Sequence, residues 1–259
     1  MRSIEDQRIL LFSGGQSEPK RPYFHYADDW LPAYLQKNLP VNPSVMYIPW
    51  AVWGQNTPDD MFRFGQEHWG RLDIGIEPLH RQKSMINAIE KSDAIIVGGG
   101  SIHMLVKSLV NNRLLEPIKA RVMSGAVYIG ESAGSVIASP TRLTALEPAL
   151  IHLAQTRTLH LVPFQVTPHY YDVDNATHHS GPPPSARIRN YISFNRTSYP
   201  VLAIKDGSWI ELHGDSINLH GEKTARIFNR DLTDERVKSG DDLSSLLNVR
   251  SRHFQQKLR

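Results

Sequence analysis

The sequence contains no cysteine in its 259 residues. A disulfide framework, a thiol nucleophile and a zinc site built on thiolates are therefore excluded. Long apolar runs are missing as well, since nothing approaches the ~18 residues of a membrane-spanning helix. The apolar run after MRSIEDQR is too short for the core of a signal peptide. These absences lead us to expect a cytoplasmic protein with no membrane partner. Basic residues are not massed either. Lys and Arg number 29 against 26 acids, giving a net charge of +3, and no basic block or aromatic–basic stripe marks a nucleic-acid surface. The mild basicity reads as a solvated exterior. Internal repeats and a clear interdomain linker are also lacking. With 40% hydrophobic residues the chain can bury one large core. The expectation is a single domain over 1–259, its core at about 8–228 and a peripheral tail at 229–259.

What is present is an alternation of strand and helix signals. RILLF followed by Ser-Gly-Gly reads as a first core strand, and Ser44 to Ile48 as a second. Helical spacing runs over Asp28 to Leu39. Thr57-Pro58-Asp59-Asp60 is a strong helix start, with a capping hydroxyl, proline at the first position and acids in the first turn. Arg71 to Leu79 predicts a strand, Gln82 to Lys91 a helix, and Asp93 to Val97 a strand entering Gly98-Gly99-Gly100. Two further helices are expected over Ile102 to Leu109 and Leu114 to Ser124. This βαβα pattern implies a doubly wound, mostly parallel α/β sheet. Later, Leu161 to Thr167 is strand-like, 172–184 a polar loop, and Ser185 to Asn195 a helix capped by Ser185. Val201 to Ile204, Ser208 to Leu212 and Ser216 to Leu219 then suggest a small C-terminal meander, followed by a peripheral helix and a frayed tail.

The stretch Ala126 to Thr141, AVYIGESAGSVIASPT, carries the most chemistry. Within it Gly130-Glu131-Ser132-Ala133-Gly134 fits G-x-S-x-G, a nucleophile elbow in which small flanking residues allow a sharp strand-to-helix turn. The pentapeptide alone also describes an ordinary glycine-rich βα turn. An apolar strand before it and a helix-competent segment after it favour the elbow. A serine nucleophile needs a base, and the base an orienting acid. Among twelve histidines, His169 stands at the end of a strand-like run, where α/β sheets present their sites. Asp206 similarly follows Val201 to Ile204, although a turn aspartate before Gly207 would look the same. Gly98-Gly99-Gly100 could supply an oxyanion donor, a phosphate-binding turn or a plain βα turn. It lacks the spacing of a dinucleotide fingerprint and the lysine of a P-loop. His178-His179 with His169 make a weak metal set without helical ligand spacing.

Four strings together, DAIIVGGGSIHMLVKSL, GAVYIGESAGSVIASPT, LVPFQVTPHYYD and PVLAIKDGSWIELHG, resemble the peptidase E (aspartyl dipeptidase) family of serine peptidases, which has cyanophycinases as distant relatives. The resemblance covers about Arg8 to Gly221. It implies a fold like class I glutamine amidotransferases and a triad in the order Ser132, His169, Asp206. Glu147 is the reserve acid. It further implies oxyanion donors at the N–H groups of Gly100 and Ala133, and no cofactor or metal. Substrate contacts are expected from Ser101, Glu131, His179, Pro184 and Ser185. Where family members carry an arginine for the substrate's aspartate, the alignment places Pro184, which has no charge and no donor. Glu131 adds a carboxylate beside the nucleophile. The expected activity is cleavage of a small peptide or amide without strict Asp-X preference. An esterase, a cyanophycinase-like hydrolase and a catalytically silent binding module remain as alternatives, and a homodimer is left open.

Overall fold

The computed structural model describes residues 7–145, 147, 151, 153–172, 183–195 and 199–247. Its core is a seven-stranded sheet. Strands β1 (Arg8–Phe12), β2 (Val45–Ile48), β3 (Glu77–Pro78), β4 (Ala94–Val97) and β5 (Val127–Glu131) are parallel, and β8 (Ser208–His213) and β9 (Ser216–Gly221) extend it antiparallel. The spatial order is β3-β2-β4-β5-β1-β8-β9.

Successive residues of a strand face opposite sides of a sheet, and β1 shows the consequence. Leu10 and Phe12 pack toward α1 (Leu31–Asn38) and α2 (Pro58–Arg71). Ile9 and Leu11 face the other side, with α3 (Met85–Lys91), α4 (Ile102–Asn111), α5 (Leu115–Met123) and α6 (Ala133–Ala138). All four side chains are fully buried. Each contributes roughly 1.5–3 kcal/mol by leaving water. That two-sided burial is why the parallel strands read as unbroken apolar runs.

A second sheet packs on the Ile9 face. It contains β6 (Gln165–Thr167), β7 (Val201–Ala203), β10 (Ala225–Phe228) and β11 (Asp234–Val237), in the order β11-β10-β7-β6. Its inner face gives Val166, Leu202 and Ile227 to the main core, and α7 (Pro184–Phe194) covers the outer face through Ile188 and Ile192.

The start of α2 forms as its sequence predicts. Thr57 Oγ1 accepts from Asp60 N at 3.2 Å and Asp60 Oδ2 accepts from Thr57 N at 2.8 Å, a reciprocal capping box. Other segments differ from expectation for local reasons. Most of Arg71 to Leu79 is not strand, because Ile74 N bonds back to Trp69 O and Asp73 takes a positive φ of 57° in the turn that closes α2. Only Glu77–Pro78 pair. Leu161 and Val162 donate to Ala138 O at the end of α6, and Pro163 has no donor, so β6 begins at Gln165. The helix at 184 starts one residue early, with Pro183 rather than Ser185 at the cap.

The C-terminal meander is a larger correction. Asp206-Gly207 is not a hairpin turn but the crossing from the second sheet (β7) to the main one (β8), and Gly207 takes φ +90° there. The segment 230–247 is not peripheral, while 248–259 lie outside the described residues. The former forms β11 and a short 3-10 turn at Ser244–Leu246, with Leu243 and Leu246 buried in the core.

Candidate active site

β5 ends where Ser132 turns back into α6, with φ 49° and ψ −107°. Such a backbone is unfavourable for a residue with a side chain, by about 1–3 kcal/mol, and persists only where its surroundings enforce it. Here the enforcement is visible. Ser132 N donates to Phe12 O of β1 at 3.1 Å. Ser135 Oγ donates to Phe12 O at 2.7 Å and lies 2.8 Å from Gly130 O. A Cβ on Gly130 would lie 2.6 Å from the Gly134 backbone, and one on Gly134 would lie 2.2 Å from Val97 O. The two glycines of the pentapeptide are therefore demanded by close backbone approach. This distinguishes an elbow from an ordinary turn.

His169 and Asp206 arrive from the second sheet. β6 and β7 run parallel with Thr167 opposite Ala203, and Ile204 N→Thr167 O at 2.9 Å and Tyr170 N→Ile204 O at 3.0 Å continue the ladder past both strand ends. The two side chains leave the same edge and meet. Ser132 Oγ lies 2.7 Å from His169 Nε2, and His169 Nδ1 lies 2.8 Å from Asp206 Oδ1. Burial pulls the His169 pKa down, but the Asp206 hydrogen bond and the charges of Asp206 and Glu131 outweigh it and hold the pKa above the usual histidine value. A neutral imidazole donating from Nδ1 to Asp206 leaves Nε2 free to accept the serine proton.

The chain of contacts opens into a cavity of about 600 Å³ bordered by Ser132, His169, Gly100 and Ala133. Gly100 has φ +129°, and a Cβ there would lie 1.9 Å from Ala51 O. The N–H groups of Gly100 and Ala133 have no hydrogen-bond partner among the described residues. Both are free for a developing oxyanion.

The other predicted residues divide. Ser101 borders the cavity and caps α4, accepting from Met104 N at 3.4 Å. Glu147 does not approach His169 as a reserve acid. Its two oxygens accept from Ser101 Oγ and Ile102 N, each at 2.7 Å, fixing it over the start of α4. Glu131 borders the cavity yet is buried, accepting from Gly15 N at 3.3 Å, from Tyr23 Oη and from Gly99 N–H. Burial raises its pKa, and these hydrogen bonds offset only part of that rise. Pro184 and Ser185 are not brought to the cavity; Pro184 is buried in the first turn of α7. His178 and His179 lie outside the described residues. Among the described residues no group of three His, Cys, Asp or Glu side chains is disposed to hold a metal, and no helix is long and apolar enough to cross a membrane.

Two elements escaped the sequence reading. Ser13, fully buried at the end of β1, accepts from His169 N at 2.8 Å and lies 2.9 Å from Asp206 Oδ1 and 3.0 Å from Ile204 O, either of which can take its proton. Asp172 accepts from Lys205 Nζ at 2.7 Å, tying the loop after His169 to the residue before Asp206. A lone serine before Gly-Gly carries no signal of such a role; only its position ahead of a glycine turn hinted at a strand end.

The model of peptidase family S51 matches residues 9–220. The chain belongs to peptidase family S51. Among its relatives, a protein named peptidase E from Streptomyces coelicolor is 31% identical over 241 residues, covering 93% of this chain and 96% of its own. A peptidase E from Nostoc is 34% identical over 93% of this chain and 97% of that one. A probable alpha-aspartyl dipeptidase from Drosophila melanogaster is 29% identical over 79% of this chain and 83% of its own. The fold is similar to that of a solved peptidase from an acI-B1 Actinobacterium, with a TM-score of 0.67 at 17% identity over 92% of this chain and 96% of that one. A putative peptidase E from Listeria monocytogenes gives 0.59 at 22% identity over 84% and 99%.

Proposed function

We propose that this S51 serine peptidase hydrolyses small peptides, dipeptides among them, through an acyl-enzyme on Ser132, and that it is not restricted to Asp-X substrates. The observation that carries the reading is the unbroken chain Ser132 Oγ–His169 Nε2 at 2.7 Å and His169 Nδ1–Asp206 Oδ1 at 2.8 Å, open to a cavity.

Ser132 Oγ attacks the scissile carbonyl carbon as His169 Nε2 takes its proton, and a C–O bond forms. The oxyanion is held by the N–H groups of Gly100 and Ala133. Collapse breaks the C–N bond, and the leaving amine departs with the proton that His169 had taken. A water then gives its proton to His169 and attacks the acyl carbon, releasing the acid and returning the proton to Ser132. Asp206 keeps the imidazole in the donating tautomer and stabilises the imidazolium.

Asp-X restriction would require a cation for the substrate's carboxylate, and no Lys or Arg borders the cavity among the described residues. The test is labelling by a fluorophosphonate, with the site read by mass spectrometry, alongside dipeptide hydrolysis. Ser132 labelling that is lost in Ser132→Ala and greatly slowed in His169→Ala supports the reading. A folded wild type that does not label refutes it.

A further inference from the structure

The cavity beside Ser132 has a lining that points to its substrate. Its two carboxylates are already engaged. Glu131 is buried and held by Gly15 N and Tyr23 Oη, and Glu147 is held by Ser101 Oγ and Ile102 N, so both are fixed by the fold rather than free to close on a cationic side chain. An anionic side chain fares no better. His169 is the one basic side chain on the wall among the described residues, and it is committed to Ser132 and Asp206.

Apart from the uncharged polar side chains of Gln16, Ser101 and Ser132, the other side chains of the wall are apolar or aromatic. Trp53 and Phe64 are 64% and 44% exposed, and both border this cavity, with Tyr23 and Met61 beside them. Exposure of two large apolar groups at a concave site is unfavourable in water and marks a binding surface. The wall is also ordered in advance. Tyr23 and Phe64 meet edge to face at 5.1 Å, His68 stacks on Tyr23 at 4.4 Å, and Tyr23 Oη is anchored on Glu131. A rigid aromatic surface binds an apolar side chain with little ordering cost.

Resting on the reading of Ser132 as an acylated nucleophile, we propose that the preferred substrates are short peptides whose acyl residue is uncharged and apolar or aromatic, with Trp53 and Phe64 as specificity-determining residues. This sets the chain apart in substrate from the relative named as an alpha-aspartyl dipeptidase.

Diphenyl α-aminoalkylphosphonates carrying Phe, Leu, Ala, Asp or Lys side chains test it, because each phosphorylates an activated serine and carries the residue to be read. Second-order inactivation rates are measured on the wild type, with the label mapped to Ser132. The Phe and Leu reagents should react about tenfold or more faster than the Asp and Lys reagents. The Phe-to-Ala rate ratio should fall about fivefold or more in Trp53→Ala and in Phe64→Ala. It should hold in Phe194→Ala, whose exposed ring lies on α7 and does not border the cavity. Asp or Lys reagents that match or exceed Phe overturn the proposal, as does a Phe-to-Ala ratio unmoved in both wall variants. If a plain fluorophosphonate labels Ser132 but none of the amino-acid reagents does, the substrate class alone falls. If the fluorophosphonate itself leaves folded wild type unlabelled, the parent reading falls with it.

Discussion

Ser13 Oγ lies 2.9 Å from Asp206 Oδ1 and accepts the backbone N–H of His169 at 2.8 Å. One hydroxyl at the end of β1 therefore touches both the acid and the base, which are otherwise carried by the second sheet. Removing it leaves a buried N–H without a partner and lets the His169 loop drift relative to the elbow. Ser13→Ala should lower kcat about ten- to hundredfold with KM little changed, since about 1.4–2.8 kcal/mol of positioning is lost. Ser13→Thr keeps the hydroxyl and should retain more of kcat than the alanine variant. Steady-state kinetics on both variants, with melting curves as a folding control, decides this. An unchanged kcat in a well-folded Ser13→Ala removes Ser13 from the mechanism.

Asp206 and Glu147 are the two acids that sequence position alone left in competition. Their partners separate them. Asp206→Asn should reduce kcat by about 10³–10⁴-fold, because the imidazole loses the tautomer that accepts from Ser132. Glu147→Gln should act mainly on KM and on the start of α4. Equal losses of kcat in the two variants would count against the assignment.

The pH profile follows from His169. Its pKa is raised, so kcat/KM should fall on acidification with a midpoint above the ordinary histidine value of about 6.5. The charges of Asp206 and Glu131 both contribute to that rise. Glu131→Gln, which removes one of them, should therefore move the midpoint to lower pH. The stability contribution runs in the opposite sense. A base whose folded pKa is raised stabilises the fold fully below its unfolded pKa, and that contribution is lost as pH rises through the folded value. The enzyme should gain activity over the range in which this contribution fades. Melting temperatures and kcat/KM across pH 5–9 in one buffer series test both signs.

Two glycines offer a matched pair. Gly134→Ala puts a methyl 2.2 Å from Val97 O of β4, whereas a Cβ on Gly70 in α2 meets nothing within 4 Å. Gly134→Ala should destabilise by roughly 1–3 kcal/mol or more through overpacking. Gly70→Ala should be neutral or stabilising by up to about 1 kcal/mol, from better helix propensity. At this chain length each kcal/mol moves the melting temperature by about 2–4 °C, so calorimetry resolves the difference.

The parts of the molecule legible in the sequence are those fixed by local physics. The elbow at Gly130 to Gly134, the capping box at Thr57, and the parallel strands β1, β2, β4 and β5 all declare themselves through composition, spacing or unbroken apolar runs. What stayed hidden depends on partners distant in the chain. β6 and β7 look like any short strands, and nothing near them tells that they leave the main sheet. β11, Asp-Glu-Arg-Val, lies at the exposed edge of the second sheet, so its charged residues mask the strand. Ser13 meets Asp206 across 193 positions. Pro184 was placed at the site by alignment, yet it opens α7 and is buried there, because a proline fits the first turn of a helix. Glu131 looked like a free charge beside the nucleophile; its donors come from the connection after β1 and from the glycine turn after β4.

The nucleophile hangs from one sheet and its base from another, and the two are pinned together at the tip of β1. Such a site can be silenced from behind. A compound lodged where that tip meets the ends of β6 and β7 would part Ser132 from His169 by a fraction of an ångström while leaving the substrate cavity empty. Its inhibition would then be noncompetitive, and no increase in substrate would relieve it.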